Sequence, residues 1–185
     1  EEALARNDII VVKDSVLQVS TNILLYNMDH PASRISWLDS RYRVDVGFER
    51  NPIALITWEG ARAFAEHYGW RLPTEHEWEK AARGITGWDY PWGDTQPTCD
   101  LANYSGCHDG TIGVGLTSGV SPYGVYDMVG NVWEWTSSQY GAGPEKIARG
   151  GSWNFYTENL QSWYSLPVQP EYTHYLVGFR CVKDL

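Results

Sequence analysis

The sequence predicts an α+β fold in a single domain, and three observations carry that expectation. Two short helices can be placed by their end signals. Most other regular structure reads as short β-rich runs. Residues 85–125 are rich in Gly, Pro, Asn and Asp, a composition of turns rather than of helices or strands. A length of 185 residues suits one domain with a full hydrophobic core.

The first strands are expected at Ile9–Val12, Val16–Val19 and Ile23–Tyr26, each a β-branched or aliphatic run bounded by polar turn residues. Residues 27–50 have no clear period, apart from a weak alternation over Arg41–Val46 that fits an edge strand. A helix is expected over Trp58–Tyr68. Thr57 supplies an N-cap, Gly69 a stop, and Trp58, Ala61, Ala65 and Tyr68 form one apolar face. A second helix is expected over Glu75–Arg83, where Thr74 and Glu77 form a Thr-x-x-Glu capping box and Gly84 ends the run. Later strands are expected at Asn131–Thr136, Ala148–Trp153 and Val177–Val182. A stretch as irregular as 85–125 needs an organiser in a compact domain: a disulfide, a bound metal or aromatic packing.

Ten Trp and twelve Tyr stand beside four Phe, a bias toward side chains that serve cores and binding surfaces alike. The formal net charge of −9 argues against nucleic acid or anionic membrane as partner. No apolar run reaches membrane-spanning length, and Glu1–Asp8 does not read as a signal peptide. Of three cysteines, at least one has no partner within the chain. Cys99 and Cys107 either close a small loop or stay reduced, according to compartment. Cys181, in an apolar run, is expected as a buried free thiol. The compartment itself stays open, with surface-displayed, secreted and virion-associated forms all compatible.

Five segments, in order, carry a family resemblance. They are Arg71–Gly84 (RLPTEHEWEKAARG), Tyr90–Asp94 (YPWGD), Gly124–Thr136 (GVYDMVGNVWEWT), Arg149–Trp153 (RGGSW) and Gly178–Val182 (GFRCV). Together they resemble the formylglycine-generating enzyme, or sulfatase-modifying factor, family from about residue 52 onward. Residues 1–51 match poorly and read as diverged N-terminal strands. The resemblance implies a C-type-lectin-like fold: two helices on a small, twisted, mostly antiparallel sheet with long loops.

The family enzyme oxidises a substrate cysteine through two copper-binding cysteines just after the RGGSW segment, thiolates being suited to copper(I). Here Trp153 is followed by Asn154, Phe155, Tyr156, Thr157, Glu158 and Asn159, with no cysteine before Cys181. The expectation is therefore a protein without that catalysis. The five histidines are scattered, with none paired at i, i+4, and do not point to the iron-binding cluster of the family's sulfoxide-synthesising relatives. The resemblance also implies a structural Ca²⁺ held by Asp127, Gly130, Val132 and Glu134, hard oxygen donors in a suitable mix. A second site would use Asn103 and the Tyr104 carbonyl, with Asp109 as a partner. The alternative for Asp127 and Glu134 is that they cap turns or accept backbone hydrogen bonds.

Residues 154–177 are unusually aromatic and aliphatic for a loop, as interaction surfaces are. Positions 154–156, 164, 166–168, 172 and 174–176 hold residues reachable from an AAC or AAT codon by changing adenines alone. This arrangement, between RGGSW and GFR, is similar to the variable proteins of diversity-generating retroelements, which use a lectin-like fold. The resemblance implies a variable region over about 149–180. Asn154, Phe155, Tyr156, Tyr164, Leu166, Val168, Tyr172, His174, Tyr175 and Leu176 are its candidate contacts to a protein or glycan ligand. Leu160 and Trp163 are expected in the core. The competing expectations are a metal-dependent oxidase of the formylglycine-generating or iron-dependent type, and an accessory domain of a larger assembly. No Glu-Pro-Asn or Gln-Pro-Asp sugar motif is present.

Overall fold

The computed structural model describes residues 9–12, 15–18 and 20–184; the expectations for Glu1–Asp8 and for Val19 lie outside them. Strands β1 (Ile9–Val12), β2 (Ser15–Gln18) and β3 (Leu24–Asn27) form an antiparallel sheet in that order. A separate hairpin pairs β4 (Ile35–Leu38) with β5 (Arg41–Val44). Its two-residue turn places Asp39 and Ser40 at φ 53° and 61°, the left-handed pair that matches strand twist. The turn contains no glycine and β4 is only four residues long, which is why only β5 is legible in the sequence.

Helix α1 (Trp58–His67) starts where expected because Thr57 Oγ1 accepts the Gly60 amide at 3.0 Å. The same hydroxyl donates to the Leu24 carbonyl at 2.8 Å, so the cap also ties α1 to β3. A Cβ on Gly60 would lie 2.2 Å from the Leu25 carbonyl oxygen, so only glycine lets helix and strand approach this closely. Helix α2 (Glu75–Arg83) carries the expected capping box between Thr74 and Glu77. Arg71 first, then the Thr74 amide, hold the Glu77 carboxyl at about 2.

The main sheet has strand order β8-β7-β6-β9, from β6 (Trp133–Gln139), β7 (Lys146–Arg149), β8 (Ser165–Val168) and β9 (Val177–Phe179). All its pairings are antiparallel except β6 with β9. β7 ends at Arg149 rather than running to Trp153, because Gly150 and Gly151 take φ of 99° and 75°, outside the strand region.

The first four residues of β6 are buried on both faces. Trp133 and Trp135 join the larger apolar cluster with Leu25, Leu55, Ala61 and Val177. The second cluster, Trp78, Ala82, Tyr90, Met128 and Leu160, forms around α2. Indole donors stitch the layers together: Trp58 to the Thr136 carbonyl at 2.8 Å and Trp135 to the Ile56 carbonyl at 3.0 Å.

Segment 85–125 has its organisers. Tyr90 and Trp92 stack at 5.5 Å. Cys99 and Cys107 are joined in a disulfide with Cα atoms 5.3 Å apart. The Ser105 amide then donates to the Phe155 carbonyl at 3.0 Å, so the disulfide loop braces the segment after Trp153. Opening this eight-residue link in a Cys99→Ala/Cys107→Ala variant is expected to lower stability by about 2–3 kcal/mol. Urea unfolding of oxidised wild type and variant measures it.

A candidate ligand-binding face

The segment after Trp153 alternates anchors with displayed side chains. A 3-10 turn at Thr157–Leu160 buries Leu160 fully. β8 then pairs with β7 in a register that sets Ser165 opposite Arg149 and Val168 opposite Lys146, which turns Val168 inward. Arg149, 3% exposed, fixes the backbone between these anchors. Its guanidinium donates to the carbonyls of Ser162 (3.3 Å) and Tyr164 (3.1 Å) and to Glu79 (2.7 Å). Phe155 and Tyr164 pack on buried Trp133, with ring centroids 5.4 and 5.9 Å away.

On this base the candidate residues separate. Asn154, Tyr156 and Tyr172 are exposed, the two tyrosines by 71% and 52%. Phe155, Tyr164, Leu166, His174 and Tyr175 are half-buried, each with an accessible part. Val168 and Leu176 are buried in the main core, so the contact role expected for these two is corrected: both are anchors. Trp163 is corrected the other way. It is 48% exposed and its indole donates to Asp89 at 3.2 Å.

Tyr172, His174, Tyr175 and His30 form a continuous stack, with successive centroids 5.5, 4.5 and 5.7 Å apart. His30 comes from the turn between β3 and β4, about 145 positions away in sequence, and no local pattern could have assigned it here. A groove of about 780 Å³ opens beside this stack. Its walls include His30, Phe48, Ile53, Asp109, Trp153 and Tyr175. A smaller recess of about 360 Å³ adjoins it at Cys107, His108 and Asn154. Burial, then His30, push the His174 imidazole below its ordinary value.

The positions implied for calcium run through the central motif, Gly124–Thr136. Glu134 accepts the Trp78 indole at 2.6 Å and Arg180 through Nε at 2.5 Å and Nη2 at 2.7 Å. Arg180 Nη2 also reaches the carbonyls of Tyr126 (3.2 Å) and Asp127 (3.0 Å). The Asp127 carboxylate accepts the Gly115 amide at 2.6 Å and the Thr117 hydroxyl at 3.0 Å. A cation at Glu134 would have to displace a guanidinium already paired with it, so this donor-filled site does not fit Ca²⁺ well. Asn103 is different: its Oδ1 is buried with no hydrogen-bond donor, while its Nδ2 donates to the Gly110 carbonyl at 2.9 Å. A spare carboxamide oxygen in that place fits a hard cation. Among the described residues no cluster of three or more His, Cys, Asp or Glu side chains is placed to hold a metal.

Cys181 is half-buried and free, its thiol pushed up by burial, a setting that disfavours the thiolate. No described helix is long and apolar enough to cross a membrane.

Among the described residues, two helices on small, mostly antiparallel sheets, with long organised loops, define an α+β protein of the C-type-lectin-like class. The chain belongs to the sulfatase-modifying factor enzyme 1-like domain family, which it matches over residues 17–185, further toward the N-terminus than the sequence motifs reach. Serine/threonine-protein kinase pkn1 of Chlamydia pneumoniae is 32% identical over 172 residues, covering 83% of this chain and 27% of the relative. Inactive C-alpha-formylglycine-generating enzyme 2 of Bos taurus is 43% identical over 115 residues, covering 55% and 38% respectively. The chain thus spans well under half the length of either relative. Among solved structures, Treponema denticola variable protein 1 superposes with a TM-score of 0.65 at 21% identity, covering 71% of this chain and 70% of its own; that likeness concerns the fold.

Proposed function

We propose that the chain is a non-enzymatic binding protein that displays a Tyr-rich face, centred on residues 154–176, to a protein or glycan ligand. The observation that carries this reading is the alternation of buried anchors (Leu160, Val168, Leu176) with displayed side chains (Asn154, Tyr156, Tyr172). Fixed anchors let the displayed residues change without loss of fold, and tyrosine gives large contact area at low entropic cost. Two further points support it. No cysteine occurs between positions 108 and 180, so the thiolate pair of the family's oxidase chemistry has no counterpart. A relative carries the name inactive, and a structural neighbour is called a variable protein. For a structural calcium ion, the spare Asn103 oxygen supports the second of the two sites implied by the resemblance.

The test uses arrays of glycans and of cell-surface proteins probed with the purified chain. Saturable binding to a member of one class is expected. A Tyr156→Ala/Tyr172→Ala variant should bind at least about tenfold more weakly, as interface tyrosines do, with an unchanged melting temperature. A variant that binds as well as wild type would remove this face from the proposal. The same reading expects a near-identical DNA copy of the segment that differs at adenines. Oxygen uptake with a thiol peptide and added copper or iron would instead favour the oxidase.

A further inference from the structure

The stack that joins the displayed face to the groove has a feature independent of its ligand. The Ala32 amide donates to His30 Nδ1 at 3.0 Å, and the Leu176 amide donates to His174 Nδ1 at 3.2 Å. A ring nitrogen accepts a hydrogen bond only while it carries no proton, so both contacts require a bare Nδ1, with the ring proton on Nε2. Both rings also lie nearly parallel to Tyr175, at 24° and 23°. Leu176 is structural: it is buried, and its carbonyl accepts the Trp133 amide at 2.7 Å. The His174 side chain therefore holds the turn that enters β9, and His30 holds the turn between β3 and β4.

We propose that the Tyr172–His174–Tyr175–His30 stack is an acid-operated latch on the binding face, ordering that face while both imidazoles are neutral and loosening it when they take up protons. The proposal rests on the ligand-binding reading and names a regulation of the same site. Protonation at Nδ1 sets a donor against the Ala32 and Leu176 amides and brings two like charges to one stack. The surrounding carboxylates that could offset those charges are Asp29 on the His30 turn, Glu171 beside Tyr172, and Glu49 and Asp109 in the groove. All four are exposed, so water and salt screen them. Arg34 pairs with Asp45 at 3.7 Å and lies over Phe48. His108 and the phenols of Tyr26 and Tyr175 complete the titratable groups of the groove. The sign follows from the shift at His174: a histidine more easily kept neutral when folded contributes stability above the ordinary imidazole value of 6.5 and loses it as pH falls below that value.

Amide hydrogen exchange of the ligand-free chain tests the latch. Protection of the Ala32 and Leu176 amides, corrected for intrinsic rates, is expected to fall about tenfold between about pH 7.5 and about pH 5, the cost of one lost hydrogen bond. The Trp78 amide in α2 should change much less. A His30→Asn/His174→Asn variant keeps an acceptor oxygen but cannot titrate, so its protection should stay flat. If that variant does not fold, titration of the wild-type imidazole C–H resonances must coincide with the loss of protection. Constant protection in wild type, an equal fall in the variant, or resonances that titrate outside that window would overturn the latch. None of these results involves a ligand. Failure of the latch therefore leaves the binding reading in place, and unchanged binding by the double tyrosine variant removes that reading without touching the exchange result.

Discussion

Arg180→Met is expected to lower stability by about 3–5 kcal/mol, because it leaves a carboxylate buried without its cation. Glu134 is 6% exposed and takes two of its three charge-assisted or indole donors from Arg180. Burial works against the charge on Arg180, but attraction and hydrogen bonding to Glu134, together with attraction to Asp127, outweigh it, and the guanidinium pKa lies above its ordinary value. The same guanidinium ties down the carbonyls of Tyr126 and Asp127, so the turn leading into β6 loses its tether as well. Urea unfolding measures the loss. The double variant Glu134→Gln/Arg180→Met should recover part of it, since an unpaired charge costs more than a removed pair. A single variant weakened by less than about 1 kcal/mol would place the pair among surface ion pairs instead.

Trp133→Ala is expected to cost a similar amount, about 3–5 kcal/mol, through the cavity left by a large buried ring. Trp133 is 1% exposed and supports both Phe155 and Tyr164. The cavity therefore lies directly beneath the displayed segment. Exchange at the Ser105 amide, which donates to the Phe155 carbonyl, should rise more than exchange in α2. Trp133→Phe keeps most of the volume and should show the same pattern at smaller size. Equal loosening of both regions would mean that Trp133 supports the whole core and has no special tie to the face.

The contrast between these two sites reflects what was legible. The capping box at Thr74 and Glu77 and the cap at Thr57 form between residues three apart, so their sequence signals are complete in themselves. The hairpin turn at Asp39 and Ser40 has no such signal, and the short β4 beside it has none either. The Gly150–Gly151 pair lies in a run whose composition predicts a strand, although its conformation is left-handed. The Glu134–Arg180 pair has no local signal, because its members lie 46 positions apart.

The same division runs through the candidate face. Composition alone marked residues 154–177 as too aromatic for a solvated loop, and the ordered motifs identified the fold and the missing cysteines. Whether a given residue there points outward depends on pairing with β7 and packing on Trp133. Val168 and Leu176 consequently turned inward, and Trp163 turned out. Local hydrogen bonds and motif order were set by neighbours in the chain, and the sequence by itself determined those. The His30–Tyr175 contact, the groove beside it and the Arg180–Glu134 pair join residues distant in sequence. Only tertiary packing decides them, because it selects which polar and aromatic groups share a desolvated space.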